Sequence, residues 1–240
     1  MNVGFYSAEQ GVLNMQKGMD ITANNIANVS TNGFKPMRAS FSDLIYTQRR
    51  KNKQEDETGH GVKLDKTDLM FDVGAPIHTG GKLDYATPTE GFFAVQNSDG
   101  NILYTKDGNF SISEGSDGTW MLVNNRQDFV LDYDYNPIEV QFDENNLPII
   151  EYVTEDLGVF TFENPYGLEL QGDNYFTETL KSGPADPDDT LEKKNGYLEM
   201  SSTNLANEMV NVIQYQRAFS ANAKMVQASD EIQQTVNNLR

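Results

Sequence analysis

Asp132, Asp134 and Asn136 stand first, third and fifth in a run where Asp143 falls twelfth. Oxygen-bearing side chains at that spacing are what a calcium-binding loop uses. Pro137 occupies the place where such a loop needs glycine for its sharp turn, so the run reads as an acidic strand-to-turn segment. His60 and His78 are the only histidines, and neither has a histidine or cysteine partner at helical spacing. The chain has no cysteine, which removes thiolate metal sites, disulfides and thiol catalysis. No nucleophile elbow and no glycine-rich phosphate loop is present. An enzyme attacking a cell-wall polymer through paired carboxylates would need two of them facing one cleft. The reading is therefore of a chain with no catalytic residue, cofactor or metal. Arg49, Arg50, Lys51 and Lys53 form the one basic cluster, followed by Glu55, Asp56 and Glu57. They read either as a solvated loop or as a contact for an acidic neighbour.

The 240 residues carry a net charge of −18 with 38% hydrophobic residues, enough for one large domain or two smaller ones. Such an acidic chain has no broad basic face to offset phosphate repulsion, which argues against nucleic acid as a partner. No apolar run approaches the ~20 residues that span a bilayer, so no membrane insertion is expected. The N-terminus lacks the basic and apolar regions of a secretory signal, which leaves open export without a cleaved one.

The elements are legible from periodicity. Phe5, Ala8, Val12, Met15, Met19, Thr22, Ile26 and Val29 recur by threes and fours, the pattern of a helix seam. It stops at Ser30-Thr31-Asn32-Gly33, where Asn-Gly favours a left-handed turn. Gly4, Gly11 and Gly18 recur every seven residues and would allow a neighbour to approach closely. Near the C-terminus, Leu205, Met209, Val212, Gln216, Phe219, Ala223 and Val226 form a second stripe. Ile232, Val236 and Leu239 continue it after a one-residue shift, and Ser201, Ser202 or Thr203 can cap its start. Between the helices, Asp99-Gly100, Asp107-Gly108 and Asp117-Gly118 read as hairpin turns among short β-prone runs such as FFAVQ, ILYT and WMLV.

The expected fold class is α+β. Residues 1–46 with 196–240 form a discontinuous coiled-coil assembly domain. Residues 47–84 are an extended linker, and residues 85–195 an inserted antiparallel β domain.

Charge is distributed unevenly. Residues 1–34 contain only Glu9, Lys17 and Asp20, and residues 201–229 only Glu208, Arg217 and Lys224. The positions off the seams carry amides, among them Asn25, Asn28, Asn207 and Asn211. Asparagine is a mediocre helix former, so its use asks for a reason. A helix hairpin with an amide-rich face in water is one reading. The favoured reading is a helix pair packed on several sides by other subunits, where amides cross-bond in both directions and unpaired charges would be costly. Val12, Met19, Asn25, Ile26, Asn28, Asn207, Met209, Asn211, Val212, Phe219 and Val226 are then the expected subunit-interface residues.

ANNIANVSTNGFK at 23–35, with Phe41-Ser42-Asp43-Leu44, resembles the N-terminal signature of the bacterial flagellar rod and hook proteins. NGYLEMSSTNLANEMVNVIQYQRAFSANAKMV at 195–226 is similar to their C-terminal one. GFFAVQ at 91–96, YTKDGNF at 104–110, FENPYGL at 162–168 and the following Ser182-Gly183-Pro184 resemble the same family's β domain. Length and motif set look most like the proximal or distal rod proteins. The resemblance implies a structural subunit of the basal-body rod, in the cell envelope. Its terminal helices would form a hollow torque-transmitting tube with the β domain outside. It also implies passage through the flagellar export apparatus and, as partners, copies of itself and neighbouring rod and hook subunits. The alternative from a different class is a non-polymerising acidic β module that binds a ligand or calcium.

Overall fold

The computed structural model describes residues 3–44, 47–51, 54–87, 90–115, 118–143 and 148–239, with backbone alone for 47–51 and 54–58. In chain order the elements begin with α1 (Val3–Ala27), β1 (Met37–Asp43), β2 (Thr47–Lys51), β3 (Gln54–Thr58), β4 (Val62–Leu69) and β5 (Pro76–His78). Next come β6 (Tyr85–Ala86), β7 (Phe92–Gln96), β8 (Ile102–Thr105), β9 (Ser111–Glu114), β10 (Trp120–Val123), β11 (Phe129–Val130) and α2 (Ile150–Asp156). After them lie β12 (Val159–Thr161), β13 (Glu169–Gly172), β14 (Tyr175–Thr177), β15 (Asp186–Pro187), β16 (Lys194–Asn195), β17 (Tyr197–Glu199) and α3 (Leu205–Asn238).

The chain divides into two compact units. The first joins Met1–Ala27, Met37–Leu69 and Asn204–Arg240, and the second joins Asn28–Pro36 and Met70–Thr203.

In the first unit α1 packs antiparallel on α3. A Cβ on Gly11 would lie 2.6 Å from the Asn222 side chain, and one on Gly18 would lie 3.1 Å from the Tyr215 ring. The buried positions of α1 are Ala8, Gly11, Asn14, Gly18, Thr22 and Asn25. These residues are small or amide-bearing. The expected seam is therefore displaced: Ala8 and Thr22 belong to the buried line, whereas Val12, Met15, Met19 and Ile26 are half-buried on its flanks. Small residues let two helix backbones approach closely, and the bulkier apolar side chains then fit beside the line of contact.

Residues 47–84, expected as an extended linker, carry defined secondary structure instead. β1 and β4 form an antiparallel ribbon with a register shift at Ser40/Phe41, and β2 and β3 form a hairpin. β5 pairs with β17 and β6 with β16. The β1–β4 ribbon is held by backbone pairing and by contacts to the helices, among them the Phe41 ring 5.9 Å from that of Tyr215, and its mostly polar strands carry little alternation.

The second unit is built on a sheet in the order β13-β14-β8-β7-β11-β10-β9, with β12 pairing both β7 and β15. β7, β8 and β10 coincide with the FFAVQ, ILYT and WMLV runs. The core gathers Tyr85, Phe93, Val95, Leu122, Val130, Val153 and Leu157 among others. A second cluster stacks Phe71, Phe92, Phe162 and Phe176 edge-on, with ring centroids 5.4–5.8 Å apart. Val153 and Leu157 reach the core from α2 and its C-terminal edge, a helix the strand-rich reading did not include.

Asp107-Gly108 is not a hairpin turn. β8 pairs with β7 and β14, while β9 pairs with β10. Gly108 is required for a different reason: a Cβ there would sit 1.7 Å from the Tyr85 carbonyl oxygen. Gly100 and Gly118, by contrast, do take left-handed angles, φ 82° and 76°.

Candidate functional site: the faces of the terminal helices

Asparagine in α1 has a local explanation. Asn14 donates to the carbonyls of Gln10 and Val62 and accepts from the Leu64 N–H at 2.9 Å. Asn25 donates to the Met37 carbonyl at 2.7 Å and accepts from the Met37 N–H at 2.9 Å. Each amide thus matches the donor–acceptor pair of a strand backbone and fastens a strand to the helix. Asn25 is 1% exposed. This corrects the expectation that its side chain lies off the packed face and is held for another subunit: both ends of the amide are engaged inside its own chain. The missed signal is that an amide carries one donor end and one acceptor end, as a strand edge does.

The other expected interface residues are placed as follows. Asn28 accepts from the Thr31 hydroxyl at 3.1 Å, just past the end of α1. Asn211, Val212, Phe219 and Val226 are half-buried on one stripe of α3, together with Tyr215 and Asn222. Asn207 and Met209 are exposed. Leu205, Gln216, Ile232, Val236 and Leu239, members of the predicted stripe, are exposed as well. The start of α3 is capped by Asn204, whose side chain accepts from the Asn207 N–H at 3.1 Å, and not by Ser201, Ser202 or Thr203. Ser201 and Thr203 bond to each other instead.

What stays uncovered is apolar. On α3, Met209, Val210, Ile213 and Met225 are about half exposed, and Ile232, Val236 and Leu239 more so. Tyr6 and Leu13 do the same on α1. With so little charge in either helix, these faces are poorly solvated compared with an ordinary helix surface. Among the described residues no helix is long and apolar enough to cross a membrane.

The positions with possible chemistry resolve into structure. The Asp132 carboxylate accepts from the Asp134 and Asn136 N–H groups at 2.8 Å each, and Tyr135 takes φ 63°, which makes a tight acidic turn. His78 packs its ring against Tyr197 at 4.9 Å. Arg49, Arg50 and Lys51 lie on β2, so the basic cluster is on a hairpin strand and not a loop; Lys53 lies outside the described residues. Among the described residues no group of His, Asp or Glu side chains could hold a metal ion.

Sequence reading passed over one buried charge cluster in the second unit. Glu199 lies between Lys35 and Lys106, with all three side chains at most 2% exposed. Lys35 Nζ also donates to the Asp72 carbonyl, and Glu199 Oε1 accepts from the Gly74 N–H at 2.8 Å. Lys106 Nζ approaches Glu199 Oε2 at 3.6 Å, donates to Thr87 Oγ1 at 3.4 Å and sits 5.2 Å over the Phe92 ring. Burial, reinforced by the Lys35 charge and opposed by Glu199, lowers the Lys106 pKa to about 8. The cluster is closed by Phe92, Thr87 and backbone, an arrangement suited to holding segments together.

Residues 5–35 match the family described as flagella basal body rod protein, residues 88–151 the D1 domain of flagellar hook protein FlgE/F/G, and residues 194–239 the C-terminal segment of flagellar basal body rod FlgEFG protein. The chain is 33% identical to the flagellar basal-body rod protein FlgG of Buchnera aphidicola from Schizaphis graminum, over 97% of both chains. It is 34% identical to that of Borreliella burgdorferi, over 98% of this chain and 97% of the relative. It is 33% identical to that of Bacillus subtilis, over 98% of both.

Proposed function

The chain belongs to the flagellar basal-body rod proteins, and from that premise we propose that it is a structural subunit, not an enzyme, which polymerises through the uncovered faces of α1 and α3 into the axial tube of the rod. Val12, Met19 and Ile26 on α1, with Asn207, Met209, Asn211, Val212, Phe219 and Val226 on α3, contribute to the assembly face. Asn28 joins them at the end of α1. Asn25 serves the subunit's own fold. The helices act as a discontinuous coiled-coil assembly domain, and their contacts resist bending and carry torque. The partners are copies of this chain and neighbouring rod and hook subunits, and the subunit is delivered by the flagellar export apparatus.

The observation that carries this reading is the exposed apolar surface of a 34-residue helix with almost no charge in its first 25 positions. Left in water it is a liability, and a polymer of helices covers it. Val212→Asp and Phe219→Asp would disturb the α1–α3 packing as well as assembly, because both residues are half-buried within the subunit. Met209→Asp separates the two effects. Its side chain is 56% exposed, so the purified variant is expected to melt like the parent. In cells lacking the wild-type gene it should give no basal-body rods, whereas Glu192→Ala, an exposed control, should be tolerated. A motile Met209→Asp strain with normal rods would overturn the assignment of this face.

A further inference from the structure

The sequence holds two Asn-Gly pairs, Asn32-Gly33 and Asn195-Gly196, and both lie in the β-rich unit. A glycine has no side chain to shield its backbone nitrogen, so in an open chain that nitrogen can reach the side-chain amide of the residue before it. Here each glycine nitrogen is engaged. The Gly33 N–H donates to the Glu199 carbonyl at 2.7 Å, and the Gly196 N–H to the Asp84 carbonyl at 2.8 Å. Both glycines are buried, and the Asn195 amide is itself held by the Lys82 carbonyl at 2.8 Å. The surroundings of Asn32 leave no slack. Asn174 Nδ2 donates to its backbone carbonyl at 3.0 Å. A Cβ on Gly33 would lie 2.6 Å from the Lys106 carbonyl carbon and 2.8 Å from the Asp107 nitrogen. Next along, the Phe34 carbonyl accepts from the Ser202 N–H at 3.2 Å, and the Lys35 ammonium reaches the buried Glu199 carboxylate. Residues 33–35 are thus zipped to residues 199–202, in a register with no room for an extra main-chain atom.

We propose that Asn32 is a self-modification site that the native fold keeps closed: in the open chain the Gly33 nitrogen attacks the Asn32 side-chain carbonyl carbon, and the product cannot re-form the zipped segment. The co-reactant is water. As the Gly33 nitrogen bonds to Asn32 Cγ it gives up its proton, the side-chain nitrogen leaves as ammonia with that proton, and a five-membered succinimide remains. Water then adds to one of its two carbonyls and breaks that carbonyl's bond to the ring nitrogen. Opening at Cγ gives aspartate. Opening at the backbone carbonyl gives isoaspartate, whose main chain runs through the former side chain and is one methylene longer, with a carboxylate left pendant. In the folded chain the reaction waits for local opening, because the attacking nitrogen is bonded to Glu199 and the segments on both sides are held. Isoaspartate at position 32 moves the Gly33 N–H off the Glu199 carbonyl and carries the Lys35 ammonium away from its carboxylate. Separating a buried ion pair in this way is strongly destabilising. A chain that lingers unfolded therefore marks itself, and one that folds promptly does not. The chemistry is internal to one chain and independent of assembly.

The test uses the purified full chain, incubated folded in buffer and, in parallel, unfolded in guanidinium chloride at the same pH and temperature. Peptide mapping by mass spectrometry follows aspartate and isoaspartate at positions 32 and 195. Modification at position 32 is expected to be at least about tenfold slower in the folded chain, as for a group that reacts only through local opening. Comparable rates in the two samples would overturn the protection. The unfolded sample is then refolded by dilution, and folded chain is separated from the remainder by size exclusion. Isoaspartate at position 32 is expected to concentrate in the fraction that does not fold, and equal content in both fractions would overturn the lock-out. Asn32→Ser removes the electrophilic amide while keeping the backbone carbonyl that Asn174 uses. After the same unfolded incubation it should recover more folded chain than the parent. Equal recovery would overturn the assignment to Asn32. Each of these failures leaves the rod reading intact.

Discussion

Glu199 meets Lys35 at 2.6 Å across 164 residues of sequence, in an interior where neither side chain is more than 2% exposed. The pair joins the strand leading towards α3 to the segment just after α1, within one unit. A buried carboxylate between two ammonium groups is not a source of stability by itself, because desolvation of the charges offsets much of their attraction. Removing one partner is a different matter, since the remaining charge is left in a low-dielectric interior.

Glu199→Gln is accordingly expected to cost about 3–5 kcal/mol, measured by urea unfolding of the full chain. The double variant Lys35→Met/Glu199→Gln should recover part of that loss, since the glutamine oxygen can still accept from Gly74 and no unpaired ammonium remains at position 35. Equal stability of Glu199→Gln and the parent would show that the cluster does not hold the unit together.

The Lys106 ammonium gives this unit a pH dependence of definite sign. Its pKa is about 8 when folded, against 10.5 for an unperturbed lysine. Between those values the unfolded chain binds the proton and the folded chain does not, so stability rises with pH across that window. Followed to its end the gain is about 3 kcal/mol. Above pH ~10 the buried phenols of Tyr104 and Tyr175 oppose it. Burial raises their pKa values, and stability that depends on a protonated phenol is lost as pH rises. Urea midpoints measured from pH ~7.5 to ~9.5 should therefore climb in the parent and stay flatter in Lys106→Met. A falling parental midpoint would contradict the assignment.

The two classes of helix amide should separate cleanly. Asn25→Ala removes two hydrogen bonds and leaves the Met37 N–H and carbonyl without them, at about 2 kcal/mol or more. Asn207→Ala leaves the cap intact, because only the backbone N–H of residue 207 takes part in it, and should be neutral or slightly stabilising in the isolated chain. Thermal melting of the two variants gives the comparison. A neutral Asn25→Ala would mean that the bidentate pair with Met37 contributes nothing.

Part of the β-rich unit was legible because its central strand β7 buries both faces. FFAVQ is apolar in four of its five positions, and Gly100 and Gly118 mark turns that need left-handed angles. The β1–β4 ribbon was not legible, since its strands are mostly polar and are fastened to α1 by the Asn14 and Asn25 side chains. Helix α2 escaped notice because its seven residues fall short of a full amphipathic repeat, although Ile150, Val153 and Leu157 have the right spacing. In the terminal helices, the charge-poor character of α1 and α3 was visible in composition. The face that each turns inward was not. Periodicity favours bulky apolar residues, while close packing selected Gly11 and Gly18. Glu199 and its two lysines lie inside quoted motifs, but sequence does not reveal that residues so far apart share one interior.

The division of the chain into interleaved segments has a kinetic meaning. The first unit needs residues 204–240 to cover Gly11 and Gly18, and the second needs Glu199 to neutralise Lys35. Synthesised from its N-terminus, the chain can complete neither unit until Glu199 and the residues beyond it are available, and closing loops of that length makes folding slow. An unfolded state is thereby prolonged. A chain cut short anywhere before α3 lacks the cover for Gly11 and Gly18 of its first helix. The contacts that build the fold thus also test whether the polypeptide reaches α3.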